Sequence, residues 1–148
     1  MAVSSTQFGE SVGATPNGRK HPLPVADTCS PVQGADRNGP SAVARSFSKL
    51  PTHRWALGSL INIRLNPNLF TTNADLERFA AFIRTCEELG LYHVQFNIVS
   101  AELLRNAMKE PEKHRDLLVR VASYVAYFTE LSPNQQKDII NRTEQQVW

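Results

Sequence analysis

Leu57-Gly58-Ser59-Leu60-Ile61-Asn62-Ile63-Arg64-Leu65 alternates in character: Leu57, Ile61, Ile63 and Leu65 point one way, Gly58, Asn62 and Arg64 the other. A period of two over this length predicts a strand. A helix is expected next. Thr72 and Asp75 have the spacing of a capping box, Leu76, Phe79, Ile83 and Cys86 form an apolar stripe, and Gly90 suits the stop. Tyr92 to Val99 predicts a second strand, with Tyr92, Val94, Phe96 and Ile98 on one side and His93, Gln95 and Asn97 on the other. That polar side either meets solvent or lines a cavity, where a ligand would use such groups. Strand, helix and strand in succession place the chain in the α/β class.

Working outward, Ser100 caps a helix through Met108, and Pro111 opens another that should end near Val121. Arg120-Val121-Ala122-Ser123-Tyr124 follows with few helix-periodic features. Ser132, Pro133 and Gln135 then supply an N-cap, a first-turn proline and a capping-box partner for a last helix, with Ile139 and Ile140 on its apolar face. Residues 1–50 differ from the rest. They are rich in Gly and Pro and read as a loop arm that buries little, closed by a short helix that Ser41 can cap and that carries Val43, Phe47 and Leu50. The expected organisation is this arm followed by one α/β segment over residues 51–148. No internal repeat is visible.

Composition narrows the function classes. A net charge of +2, with Lys and Arg dispersed, gives no footprint for nucleic acid or an anionic membrane surface. Cys29 and Cys86, the only cysteines, lie far apart with no CxxC spacing, so neither a disulfide framework nor a zinc site is expected, and no metal is. Cys86 reads as a buried apolar residue rather than a nucleophile. Two thiols, no apolar run of membrane-spanning length and a start without signal-peptide character point to the cytoplasm. Gly13 to Lys20 nearly matches a phosphate-binding loop. The match fails because Arg19 separates Gly18 from Lys20, no Ser or Thr follows, and Pro22 and Pro24 prevent the helix that would bind phosphate.

Arg120-Val121-Ala122-Ser123-Tyr124 resembles the glycyl radical signature Arg-Val-Ser/Ala-Gly-Tyr. Its flanks agree: Leu118-Val119 before it, and Tyr127-Phe128, Leu131-Ser132, Gln136, Ile139-Ile140 and Arg142-Thr143 after it. Gly90 to Val99 is similar to a late barrel strand of that family, and Pro111-Glu112-Lys113 to the motif before its radical segment. Gly13 to Lys20 resembles Gly-Ala-Thr-Pro-Asp-Gly-Arg-Lys, and Ser30-Pro31 through Gly39-Pro40 resembles Ser-Pro…Gly-x-Asp…Gly-Pro. The resemblance runs from about Phe8 to the last helix. Its wording is closer to the diol-dehydratase and choline-lyase branch of the glycyl radical enzymes than to pyruvate formate-lyase.

The resemblance implies the C-terminal part of a large α/β barrel, ending in a radical-loop segment and a C-terminal helix. In that family a radical-SAM activase, using S-adenosylmethionine, takes a hydrogen from a glycine, and the radical passes to a cysteine that attacks substrate. By resemblance Ser123 takes the glycine position, and Arg120, Val121, Ala122 and Tyr124 form the segment an activase reads. His93, Gln95 and Asn97 would line the cavity. No bound cofactor is expected. Two departures matter. Serine stands where the family needs glycine, and the family's catalytic cysteine would lie upstream of this sequence, since Cys29 and Cys86 fall outside that motif. Three readings follow: a spare part that docks on a full-length glycyl radical enzyme, a decoy that occupies such an enzyme or its activase, or a remnant in which the glycine was lost or deliberately replaced. In each, the chain alone is expected to lack lyase and dehydratase activity.

Overall fold

A computed structural model describes residues 5–55 and 58–148. The α-helices are α1 (Ser5–Ser11), α2 (Pro40–Phe47), α3 (Asn73–Glu88), α4 (Ala101–Lys109) and α5 (Pro133–Asn141). The strands are β1 (Leu60–Leu65), β2 (His93–Ile98), β3 (Leu118–Arg120), β4 (Val125–Tyr127) and β5 (Glu144–Gln145). One parallel sheet has the order β2-β1-β5, and β3 and β4 form a separate antiparallel hairpin. The first predicted strand is observed from Leu60 onward, and Leu57 lies outside the described residues.

The central strand, β1, registers Leu60 against His93 through Leu65 against Ile98. Ile61 and Leu65 are fully buried and Ile63 nearly so, but Arg64 on the opposite face is only 6% exposed. Both faces are covered, as parallel strands require. Thr28 Oγ1 and Cys29 N both donate to the Leu60 carbonyl, at 2.8 and 3.0 Å. The Gly/Pro-rich arm therefore lies along the strand, and its helix α2 buries Val43, Ala44 and Phe47 in the core. It buries more than its composition suggests. Helix α2 starts at Pro40 after Gly39, with no side-chain cap, so Ser41 sits inside the first turn, and Leu50, beyond the helix, is exposed.

Helix α3 has the expected capping box, with the Thr72 hydroxyl accepting from the Asp75 amide and the Asp75 carboxylate accepting from the Thr72 amide. Gly90 follows it at φ +74°, a left-handed turn that glycine makes without a Cβ penalty. The buried face differs from the predicted stripe. Phe82 and Cys86 are buried and Phe79 is half-buried, whereas Leu76 and Ile83 are 52% and 45% exposed. At 3.6 residues per turn, positions 79, 82 and 86 share one line, and 76 and 83 lie to one side of it. That line meets an aromatic cluster. Phe79 packs on Phe96 of β2 with ring centroids 4.9 Å apart, and Trp148 lies 5.7 Å from Phe79.

A second core holds Val99, Leu104, Ala107, Val119, Val121, Phe128, Ile139 and Ile140. Ser100 caps α4 through the Leu103 amide, and the Ser132–Gln135 capping box with Pro133 starts α5, both as read from the sequence. The helix expected from Pro111 to Val121 is not formed. Pro111–His114 makes a single 3₁₀ turn, and the chain then extends as β3. Val119 is 1% exposed between exposed Leu118 and half-buried Arg120, an alternation that suits a strand and would leave a helix without an apolar face.

Candidate functional site

β3 and β4 pair Leu118 with Tyr127, Val119 with Ala126 and Arg120 with Val125. Val121 to Tyr124 turns the chain between them, and the Val121 amide donates to the Tyr124 carbonyl at 3.0 Å. Val121 and Ala122 are buried at 4% and 6%, and Tyr124 packs half-buried against the second core. Ser123 is exposed at the tip. Its backbone is not in the left-handed region, since Thr28 is the only non-glycine residue with positive φ among the described residues. Nor does its hydroxyl make a hydrogen bond among them.

Two side chains hold the main chain of this turn. On the polar side of β2, Asn97 Nδ2 donates to the Arg120 carbonyl at 3.0 Å, and Asn97 Oδ1 accepts from the Arg120 amide at 3.2 Å. One carboxamide thus satisfies one whole peptide position, as a neighbouring strand would. On the other side stands Arg142, just past α5. Its Nη2 donates to the Val121 carbonyl at 2.6 Å and to Asp138 Oδ2 at 2.9 Å, and its Nη1 reaches Asp27 at 3.4 Å. The Arg142 side chain is 12% exposed and Asp138 4%. Asp138 also accepts from Ser5 Oγ at 3.2 Å and Gln33 Nε2 at 2.6 Å. One buried ion pair therefore joins α1, the arm, α5 and the 120–124 turn.

Of the polar residues singled out on β2, Asn97 is the one that hydrogen-bonds to the turn among the described residues. His93 and Gln95 bond each other at 2.7 Å. An amide nitrogen only donates, so His93 accepts at Nε2. Arg64 lies behind the same region, donating from Nη1 to the carbonyls of Ile139 and Ile140 at 2.8 and 3.1 Å. Burial lowers its pKa, opposed by the Glu144 carboxylate. A cavity of about 550 Å³ opens between α1, the arm and α5, lined by Glu10, Arg19, Leu23, Gln33 and Lys137 among others. Burial pushes the Cys86 thiol up, which keeps it protonated and unreactive. Among the described residues no group of three or more His, Cys, Asp or Glu is placed to hold a metal ion, and no helix is long and apolar enough to cross a membrane.

In the sequence Arg142 stands out only as a flank of the signature, and Asp138, Asp27 and Gln33 do not stand out. A signal existed for one pair: Asp138 and Arg142 are four residues apart on a predicted helix, the spacing of a side-chain ion pair. Nothing in the sequence says that Gln33 or Asp27 meets them.

The glycine radical family matches residues 25–129 of this chain. The isethionate sulfite-lyase of Bilophila wadsworthia is 44% identical over 143 residues, 95% of this chain and 17% of its own. The probable dehydratase YbiW of Escherichia coli is 46% identical over 142 residues, 95% of this chain and 18% of its own. Among solved structures, the glycerol-bound B12-independent glycerol dehydratase of Clostridium butyricum superposes with a TM-score of 0.93 at 40% identity, covering 97% of this chain and 18% of that one. The chain thus spans under a fifth of the length of these relatives. In the family generally, a radical is installed on the protein by an activase that uses S-adenosylmethionine. Matched over most of its length in sequence and in three dimensions, this chain belongs to the glycine radical family, to the part of it that includes dehydratases and lyases.

Proposed function

We propose that this chain is a glycine radical domain whose radical position is filled by Ser123, so that it holds no glycyl radical and on its own performs no lyase or dehydratase turnover. The observation that carries this reading is a serine at the exposed tip of a hairpin that otherwise resembles the radical segment. Arg120, Val121, Ala122 and Tyr124 around it form the segment an activase would read. A glycine α-radical lies flat between its two amides, which spreads the unpaired electron, and a Cβ crowds that geometry. In an L-residue the side chain also occupies the place of glycine's pro-S hydrogen, the one family activases take. The backbone at Ser123 is not left-handed, so serine sits there without strain. The obstacle is electronic and stereochemical.

A second reading, docking on a full-length glycyl radical enzyme or its activase, draws support from the β2 edge. Among the described residues β2 pairs on one side only, and Tyr92, just before it, and Ile98, at its end, are 75% and 48% exposed. A parallel strand with a bare edge and exposed apolar residues suits a further strand beside it. In such an assembly His93, Gln95 and Asn97 would face the barrel interior. The chain would then serve as a spare part or as a decoy. The direct test gives the purified chain an activase, S-adenosylmethionine and, in turn, glycerol, 1,2-propanediol, isethionate and trans-4-hydroxy-L-proline. Turnover of any of them by the chain alone would end the first reading. Failure to retain either a full-length family member or an activase in a pull-down would end the second.

A further inference from the structure

The polar side chains around the hairpin are not equivalent. Within a tight hairpin the Val121 carbonyl would accept from the Tyr124 amide, but among the described residues that bond is absent. The carbonyl instead receives Arg142 Nη2 at 2.6 Å, the shortest of the Arg142 contacts. That bond ties the carbonyl to the C-terminal end of α5. Arg142 is itself fixed from three sides, by Asp138 one helical turn back, by Asp27 from the arm and by its own place at the C-cap of α5. Asp138 is fixed in turn by Ser5 and Gln33. A planar guanidinium held by two carboxylates has little freedom left, so the position of the Val121 carbonyl follows that of α5 and the arm.

We propose that Arg142 is the positioning residue of the 120–124 turn: its guanidinium, aimed by Asp138 and Asp27, sets the peptide two residues before Ser123. Its consequence for chemistry rests on the reading that this turn is the segment an activase would address. Arg142 touches no reacting atom. It acts through the Val121 carbonyl, and it sets how often the tip leaves its seat on Val121 and Ala122.

The test is amide hydrogen exchange on the full chain, read at Arg120 and Val121 and compared with Ile61 to Leu65 of β1. Loss of a hydrogen bond from a charged donor should raise exchange at the turn by about 10- to 100-fold in Arg142→Gln. β1 should change far less. Arg142→Lys keeps a cation opposite Asp138 and should recover part of the protection, and it gives the answer should Arg142→Gln fail to fold. Unchanged exchange at Val121, or a rise that is equal in β1 and the turn, would overturn the proposal. In a Ser123→Gly background, Arg142→Gln should also lower the radical yield with an activase. If Ser123→Gly with Arg142 intact gives no radical, the activase reading fails, whereas the exchange data decide the role of Arg142 independently.

Discussion

Replacing Arg64 by Met is the perturbation whose cost the structure defines best. The Arg64 side chain is 4% exposed, and its Nη1 donates to two carbonyls in the last turn of α5, Ile139 and Ile140. A helix end leaves such carbonyls without intrahelical partners. Two bonds from a charged donor are worth about 1.5–3 kcal/mol each. Against them stands the cost of burying the guanidinium, several kcal/mol, and its Nε is buried without a partner. The ion pair with Glu144, at 3.6 Å, is long, and Glu144 keeps the Ala101 amide at 2.9 Å and the Asn66 side chain as partners. Met fills much of the same volume but leaves two carbonyls orphaned, so Arg64→Met should destabilise the fold by about 2–4 kcal/mol. The double variant Arg64→Met, Glu144→Gln should differ from the sum of the single ones by under ~1 kcal/mol, because the pair is loosely coupled. Urea denaturation followed by circular dichroism reads this as a lower midpoint at unchanged slope. An Arg64→Met chain as stable as its parent would refute the assignment of Arg64 as the donor that closes α5.

Leu104 is fully buried in the second core, so Leu104→Ala should cost about 2–5 kcal/mol, whereas Ile83→Ala, at a half-exposed position, should stay below ~1 kcal/mol; equal costs would contradict the observed face of α3. Burial raises the Cys86 pKa, so the unfolded chain gives up that proton first and the group's contribution to stability is lost as pH rises past the ordinary thiol range. Below that range iodoacetamide should modify half-buried Cys29 well before Cys86, as mass spectrometry of the labelled peptides would reveal. The Thr72 hydroxyl bond, with further help from Thr71 and Arg78, holds Asp75 below the usual carboxylate range. Its stabilising effect is present above that range and lost as pH falls through the depressed value, so Asp75→Asn should flatten the acid limb of a thermal-melting profile measured against pH.

Local signals in the sequence carried the strand–helix–strand centre and both capping boxes, because each is set within a few residues. The apolar stripe of α3 holds at Phe79 and Cys86, which pack inward, and fails at Leu76 and Ile83, which are exposed. Apolar character alone does not separate Phe82 from Ile83, and the choice is made by Phe96, on the next strand, and by Trp148, from much further along the chain. Proline often starts a helix, so the segment after Pro111 reads as one, and the β3–β4 pairing overrides that local signal. The arm misled for a related reason. Its Gly and Pro content marks turns, but says nothing about the carbonyl of Leu60 to which two of its residues donate. At the candidate site, the turn stood out by its resemblance to a known signature. Of its supports, only the Asp138–Arg142 pair is local; Asp27 and Gln33 reach that pair from more than a hundred positions away.

On the proposed reading, Ser123 alone keeps a glycyl radical from forming on this chain. Electron paramagnetic resonance of the full chain, after anaerobic incubation with a family activase, reductant and S-adenosylmethionine, tests it directly. The serine form should give no glycyl-type signal and Ser123→Gly should give one, because the rest of the segment, Arg120, Val121, Ala122 and Tyr124, matches the signature. A glycyl-type signal from the serine form, or silence from a well-folded Ser123→Gly chain, would contradict the account.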